Sequence, residues 1–142
     1  MAMADLARHA ASAPAPLSAI AERQGLSITY LEQLFMNLRR AGLVASARGR
    51  AGGYRLGRPA REITIAAVMA AVDEGTRMTR CHGGTHGGCV GDKRCLTHGL
   101  WDALGDHIHG FLAGVTLQDV LDGITTGRRR GLTASDFTVG AE

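Results

Sequence analysis

Three cysteines and a histidine within one glycine-rich stretch are the residues of this sequence best suited to chemistry. Residues 81–98 read CHGGTHGGCVGDKRCLTH and contain all three cysteines of the chain, Cys81, Cys89 and Cys95, followed by His98. Thiolates combined with an imidazole suit zinc, copper(I) or an iron-sulfur centre. The intervening glycines allow a backbone to wrap closely around a bulky centre. The stretch therefore predicts a metal-binding loop.

Other interpretations of this loop are weaker but stay open. A disulfide is disfavoured because the cysteine count is odd and no secretory signal is recognisable. A flexible loop whose thiols lie close by chance is a second alternative. A metalloenzyme is disfavoured because no paired carboxylates and no His-Glu motif near the loop supply a general base. His82 and His86 lie inside the loop and remain candidate ligands, whereas His107 and His109 fit surface or interface positions better.

Charge is distributed unevenly along the 142 residues, whose net charge is +3. Residues 1–61 carry nine arginines against three acids, whereas residues 62–122 carry four basic residues against eight acids. Fifteen of the sixteen basic residues are arginines, whose planar guanidinium suits bidentate contacts to phosphate and guanine. A solvated arginine-rich surface would give the same counts. The pattern nevertheless favours nucleic acid as the partner of the N-terminal half.

Length and hydropathy indicate one domain, or a small domain with an appended element. The hydrophobic content of 45% is sufficient for a packed core. No segment approaches the roughly 18 uninterrupted apolar residues of a membrane span. We expect a soluble cytoplasmic protein with no membrane partner, in which thiols stay reduced and able to bind metal.

Two short helices joined by a tight turn are predicted at residues 17–24 and 28–41. Gly25 stops the first helix and Ser27 is a suitable N-cap for the second. The second helix has an apolar stripe at helical spacing, made of Ile28, Leu31, Leu34, Phe35 and Leu38. Its opposite face carries Thr29, Tyr30, Glu32, Gln33, Met36, Arg39 and Arg40. This pattern predicts a helix-turn-helix with the second helix in the major groove, although any helical hairpin looks similar.

A hairpin with arginine at its tip follows this helix. Residues 43–46 and 54–56 are predicted strands, and residues 48–53, RGRAGG, form the turn between them. Such a hairpin after a recognition helix is a wing, and Arg48 or Arg50 is able to enter a minor groove. An ordinary surface hairpin is the alternative.

The C-terminal half is predicted to be helical on both sides of the cysteine loop. Residues 63–72 form a helix capped by Thr64. Beyond the loop, an apolar stripe about 20 Å long contains Leu100, Trp101, Leu104, Ile108, Phe111 and Leu112. A face of this length favours a partner helix from a second copy, with packing inside one chain as the alternative. Thr116 and Asp119 predict a capping box for a last short helix, and residues 123–142 a mostly disordered tail.

Four segments resemble the Rrf2 family of winged-helix transcription factors, in its branch that regulates iron-sulfur cluster assembly. They read SITYLEQLFMNLRRAGLV at residues 27–44, GRAGGYRLG at 49–57, VDEG at 72–75 and CLTHGLW at 95–101. The resemblance extends over roughly residues 1–121, and the CLTH element is specific to this branch. It implies a non-enzymatic, homodimeric repressor of iron-sulfur assembly genes, which receives its cluster from an assembly scaffold.

The resemblance implies a mainly α fold with a winged helix-turn-helix DNA-binding domain and a two-stranded wing. The implied divisions are the DNA-binding domain at 1–72, the cluster loop at 73–98, the dimerisation helix with a short C-terminal helix at 99–122, and the tail at 123–142. The implied ligands of a 2Fe-2S cluster are Cys81, Cys89, Cys95 and His98. The implied contacts to operator DNA are Ser27, Thr29, Tyr30, Glu32, Gln33 and Arg48, to which we add Arg39 and Arg50.

Glu32 is expected to act as a selectivity filter, because a carboxylate near DNA repels phosphate unless it accepts from cytosine N4. The chain departs from the family pattern in two ways. Cys81 and Cys89 are further apart than usual, and the sequence begins later, so that either its start is misassigned or phosphate anchoring is weaker than in the family. Three alternatives remain. One is a nitric-oxide or redox sensor of the same family with a different fourth ligand. The second is a DNA-binding protein with structural zinc, and the third is an interaction protein that never contacts DNA.

Overall fold

The computed structural model describes residues 1–10, 13–49, 52–72 and 93–124. These residues form a mainly helical fold with one two-stranded antiparallel sheet, as predicted. The helices and strands in chain order are α1 (Ala2–His9), α2 (Leu17–Gln24), α3 (Ile28–Arg40), β1 (Val44–Ala47), β2 (Gly53–Leu56), α4 (Ile65–Ala71), α5 (His98–Ala113) and α6 (Leu117–Leu121). Arg50, Cys81, Cys89 and the predicted tail from residue 125 lie outside the described residues.

The helix-turn-helix is formed by α2 and α3, and the predicted caps are confirmed. Gly25 ends α2 in the left-handed conformation, with φ of 62°. Ser27 then begins α3, and its Oγ accepts a hydrogen bond from the Tyr30 amide at 3.2 Å. A glycine in the turn and a hydroxyl cap next to it fix the angle between the two helices.

The core lies beneath α3 and is shared by most other elements. Its fully buried large side chains are Leu6, Ile20, Leu31, Phe35, Ile63 and Leu117. The Phe35 ring also meets Tyr54 of β2 edge to face, with ring centroids 5.0 Å apart. Ile28 belongs to the apolar stripe of the sequence, but its side chain is 46% exposed. Ile28 is the first residue of α3. The core below that helix begins about one helical turn later, at Leu31.

The two wing strands pair in antiparallel register, with Val44 opposite Leu56. Each strand differs from its predicted position by one residue at one or both ends. A third segment joins them, because Ala15 and Tyr54 exchange two backbone hydrogen bonds of 2.9 and 2.8 Å. A Cβ atom at Gly53 would lie 2.5 Å from the carbonyl of Ala15. Only glycine therefore allows this close approach of the segment before α2.

The helix predicted at residues 63–72 begins two residues later than expected. Ile63 is extended instead of helical, and its carbonyl accepts a hydrogen bond from the Leu117 amide at 2.8 Å. The Ile65 amide donates in turn to the carbonyl of Val115 at 2.9 Å. Thr64 caps α4 as predicted, accepting from the Ala67 amide at 3.1 Å. This short pairing fastens the start of α4 to the start of α6.

Helix α5 contains 16 residues, about 24 Å at 1.5 Å per residue, and packs against α4. It is followed by α6, whose predicted capping box is confirmed. Asp119 Oδ2 accepts from the Thr116 amide at 2.8 Å, and Thr116 Oγ1 accepts from the Asp119 amide at 3.1 Å. The reciprocal bonds satisfy backbone donors at the start of α6.

A buried carboxylate holds α1 against the helix-turn-helix, which the sequence did not predict. Asp5 has a side chain only 5% exposed, and it accepts hydrogen bonds from Arg23 Nε at 3.1 Å and Nη2 at 2.6 Å. Gln24 Nε2 donates to the same carboxylate at 3.0 Å. The Arg23 guanidinium lowers the pKa of Asp5 below its ordinary value, against the effect of burial and with help from Gln24. Asp5 is therefore ionised at neutral pH and holds α1 on the end of α2.

Candidate DNA-binding surface and metal centre

One face of α3 projects a continuous strip of exposed side chains. Thr29, Gln33, Met36 and Arg40 follow one another at intervals of four, three and four residues, and all are exposed. Residues at these intervals lie one above another on the same side of a helix. Glu32 is exposed beside this strip, so the two predicted base-reading residues, Glu32 and Gln33, point away from the core together.

The remaining predicted contacts on α3 lie at the borders of this strip. Ser27 uses its oxygen to cap the helix, which leaves its hydroxyl hydrogen for donation to a phosphate. Tyr30 is exposed on the opposite border, where it also lines an apolar groove. Arg39 is exposed in the last turn of α3. These predicted contacts therefore surround the exposed strip: Ser27 lies at the start of α3, Tyr30 on one side and Arg39 in the last turn.

The wing presents a second basic surface. Arg48 is exposed immediately after β1, while Arg50 lies outside the described residues. Arg55 is exposed on β2. Arg58, which the sequence did not single out, donates from Nη2 to the carbonyl of Ala41 at 3.2 Å. Since Ala41 is the C-cap of α3, this bond ties the base of the wing to the end of the recognition helix.

The arginines of this surface have no acidic partner within the described ranges. The ion pairs in that part of the chain join Asp5 to His9 and to Arg23. Arg39, Arg40 and Arg48 therefore keep their positive charge for an external anion. Guanidinium groups flanking an exposed helix are the arrangement that positions a protein on a phosphate backbone.

Cys95 and His98 stand together at the start of α5. The amide of His98, the first residue of the helix, donates to the carbonyl of Cys95 at 3.0 Å. Both residues are partly buried, and Cys95 Sγ lies 3.5 Å from Thr97 Oγ1. This turn brings a thiol and an imidazole together at the N-terminal end of α5. Cys81 and Cys89, the other predicted ligands, lie outside the described residues.

Cys95 and His98, the two predicted ligands within the described residues, fit an iron-sulfur or zinc centre by their chemistry. A soft thiol and an imidazole on one turn would provide half of a four-ligand set. Within residues 93–124 and the other described ranges, no group of three or more His, Cys, Asp or Glu side chains is placed to hold a metal ion. The other two predicted ligands, Cys81 and Cys89, belong to the preceding loop in the sequence.

An apolar groove with a volume of about 670 Å³ opens beside the helix-turn-helix. Side chains from all six helices line it, including Ala2, Leu34, Val68, Phe111 and Val120. The sequence did not predict it, because its walls are far apart along the chain. The groove lies on the Tyr30 border of α3, away from the strip that contains Gln33 and Met36.

These features define a winged helix-turn-helix transcriptional regulator: α2 and α3 form the DNA-reading unit, β1 and β2 form the wing, and exposed arginines flank both. The chain belongs to the Rrf2 family, described as "Iron-dependent Transcriptional regulator", whose pattern it matches over residues 1–123. The family resemblance found in the sequence is thereby confirmed. Among the described helices, none is long and apolar enough to cross a membrane.

Individual relatives support the same assignment. The HTH-type transcriptional regulator IscR of Photobacterium profundum is 53% identical over 120 residues, which cover 84% of this chain and 69% of that protein. The structure of IscR from T. potens has a TM-score of 0.68 at 38% identity, covering 86% of this chain and 79% of that one. The structure of CymR, the global cysteine regulator of B. subtilis, has a TM-score of 0.69 at 31% identity, with coverages of 85% and 88%.

Proposed function

We propose that this protein is a homodimeric repressor of iron-sulfur cluster assembly genes that senses a 2Fe-2S cluster. The observation that carries the proposal is the placement of Cys95 and His98 on one turn at the start of α5. The identity with IscR proteins over most of the chain supports it. With Cys95 just before α5 and His98 as the first residue of that helix, a cluster bound there would link occupation of the loop to the arrangement of the DNA-binding elements.

The proposed ligands are Cys81, Cys89, Cys95 and His98, with an iron-sulfur assembly scaffold as the donor of the cluster. When bound, the cluster would supply redox chemistry. Cys95 and His98 would hold it at the start of α5, together with the two cysteines of the loop. Because an imidazole also binds protons, a histidine ligand is lost more easily than a fourth thiolate would be. The binding site is thus suited to a cluster that is gained and lost as conditions in the cell change.

The proposed dimer interface is the apolar face of α5. Leu100 is 64% exposed and Phe111 is 48% exposed, and Leu104 lies on the same side of the helix. In the described part of the chain, no α5 side chain belongs to the hydrophobic core or to the partly buried apolar residues packed on it. A second copy of α5 would cover this face and place two recognition helices for two half-sites of an operator.

The test of the proposal is anaerobic purification followed by chemical and spectroscopic analysis. Two irons and two acid-labile sulfides per chain, with a 2Fe-2S absorption and EPR spectrum, are expected. Operator duplexes enriched from a random pool should bind two chains each, and the forms with and without the cluster should prefer different sequences. A colourless protein with one zinc per chain would contradict the cluster. Equal affinity of both forms for every duplex would contradict sensing.

Replacing His98 with alanine is expected to shift the absorption and EPR spectra and to lower the affinity for the cluster by more than about 10-fold, because even loss of a residue that only supports a metal ligand costs about 10- to 100-fold in metal affinity. The reason is that one of four ligands is removed while Cys95 and the helix remain. The measurement is iron content and spectrum after titration with a chelator under argon. His107→Ala is the matched control, since His107 is an exposed histidine on the same helix. Identical spectra for His98→Ala and wild type would exclude His98 as a ligand.

Replacing Glu32 with alanine is expected to relax operator choice, so that duplexes without the preferred cytosine gain relative affinity. Loss of a base contact of this kind lowers the difference in binding free energy between the preferred base and a wrong base by about 1–3 kcal/mol. Competition binding against single-base variants of the enriched operator measures the change. Glu22→Ala removes an equal charge from an exposed position on α2 and should leave the ranking unchanged. An unchanged ranking in Glu32→Ala would refute the selectivity role.

A further inference from the structure

Met36 is an exposed apolar side chain in the middle of the DNA-reading strip. Its side chain is 41% exposed, between the polar residues of α3 that are predicted to contact DNA. Met36 follows Glu32 by four residues and Gln33 by three, so it neighbours both on the helix surface. If Glu32 and Gln33 contact base edges, the side chain of Met36 beside them is close enough to contact the bases too.

The direction of a helical side chain brings Met36 closer to those readers. Side chains on an α-helix lean towards its N-terminus and cover the turn before their own Cα atom. The thioether of Met36 therefore covers the turn that carries Glu32 and Gln33. Along the helix axis, Met36 lies about 10 Å beyond Thr29 and Arg40 about 16 Å beyond it, so Met36 stands between the polar first turn of α3 and the arginine near its end.

The exposure of Met36 is not explained by the other apolar surfaces of the described chain. Leu26 and Tyr30 are also exposed, but both line the apolar groove. Met36 is not among the groove-lining residues, and it is not part of the core or of the apolar side chains packed on it. Its neighbours on the exposed face of α3 are polar, and Glu32 and Gln33 among them are predicted to contact DNA.

We propose that Met36 is a specificity-determining residue that contacts the C5-methyl group of a pyrimidine in the operator. This inference rests on the proposed role of α3 as the DNA-reading helix. The C5-methyl of thymine is the apolar group that ordinary base pairs present in the major groove. 5-Methylcytosine presents the same group at the same position. An unbranched, polarizable thioether adapts to such a methyl group without a hydrogen bond.

The test begins with selection of an operator by the wild-type protein from a random duplex pool. Each thymine of the operator is then replaced by uracil, which removes only the C5-methyl, and each cytosine by 5-methylcytosine, which adds one. Wild type should lose about 3- to 5-fold in affinity at one or two adjacent thymines, the value of one buried methyl group. If the methyl group belongs to 5-methylcytosine, wild type should instead gain a similar factor at one methylated cytosine.

Variants of Met36 assign these effects to the side chain. Met36→Ala should bind methylated and unmethylated duplexes equally at the sensitive position, whereas Met36→Leu should keep the difference. Ile28→Ala removes another exposed apolar residue of α3, away from the strip, and should also keep it. A methyl effect that persists in Met36→Ala, or no methyl effect in wild type, overturns the proposal. Failure of wild type to enrich any sequence would overturn the proposed DNA-reading function as well. Because selection comes before the methyl test, this failure is distinguished from failure of the Met36 proposal alone.

Discussion

Gly53→Ala is expected to lower the free energy of unfolding by about 2–4 kcal/mol. The added Cβ would stand 2.5 Å from both carbonyl atoms of Ala15 and 2.9 Å from the nitrogen of Pro16. These are backbone atoms, so the segment before α2 must move away from the wing. That movement breaks the two hydrogen bonds between Ala15 and Tyr54, each contributing about 1 kcal/mol, and strains the packing around them.

The measurement is urea unfolding at one protein concentration and one state of metal loading, since binding and association both change apparent stability. Arg55→Ala is the control, because Arg55 follows in the same strand but is exposed. Its effect should stay within about 0.5 kcal/mol. A Gly53→Ala protein as stable as wild type would show that the Ala15 segment is not held by the wing in solution.

The features that the sequence predicted best are those with local causes. Gly25, Ser27 and Thr64 act within one helical turn of their own positions, and each ends or begins a helix as expected. The capping box of α6 is equally local. The exposed face of α3 also followed from periodicity, because side chains three and four residues apart share one side of a helix.

The features that escaped prediction depend on residues far apart in the chain. Ile63 was predicted to be helical, but pairing with Leu117 holds it extended. Arg58 reaches back to Ala41, and nothing in the local sequence around Arg58 identifies that acceptor. Ile28 has the right spacing for the apolar stripe, yet the core does not extend beneath it. Periodicity predicts which side chains share a face, but it does not determine how far the opposing surface extends.

The candidate metal centre was predicted from residue types, and the structure adds only part of its geometry. Cys95 and His98 share one turn, as their close spacing allowed. The four-ligand set itself stays a prediction, because Cys81 and Cys89 lie outside the described residues. For the same reason Arg50 stays a predicted wing contact, whereas the exposure of Arg48 at the start of the wing turn is described.

Helix α1 connects the parts of the fold that the proposed function requires to act together. It packs against α6, which follows the proposed dimer helix, and also against α2 and β2. Its apolar side, Met3 and Leu6, is buried in the core. Its polar attachment to the helix-turn-helix is the contact of Asp5 with Arg23 and Gln24. Loss of that contact should therefore loosen α1 from the DNA-binding unit first.

Asp5→Asn is expected to lower the free energy of unfolding by about 1.5–3 kcal/mol at neutral pH, the range for hydrogen bonds to charged groups. The amide has one acceptor oxygen where the carboxylate has two, and it leaves the Arg23 guanidinium without a counter-charge. Since Arg23 is 35% exposed, water reduces the loss towards the lower end of that range. Asp122→Asn is the control, because Asp122 is exposed and its Oδ1 accepts a hydrogen bond from the neutral side-chain amide of Gln118.

The same variant should change how stability depends on pH. The pKa of Asp5 is lower in the folded chain than in the unfolded chain, so on acidification the unfolded chain binds the proton first. The stabilisation is complete above the ordinary aspartate pKa of about 3.9 and is lost as the pH falls through the folded-state value. The difference between wild type and Asp5→Asn should accordingly shrink below about pH 4. Because His9 Nδ1 lies 3.4 Å from Asp5 Oδ1, the comparison is repeated with His9→Ala in both proteins. A difference that does not change down to pH 3 would mean that Asp5 contributes through packing and not through its charge.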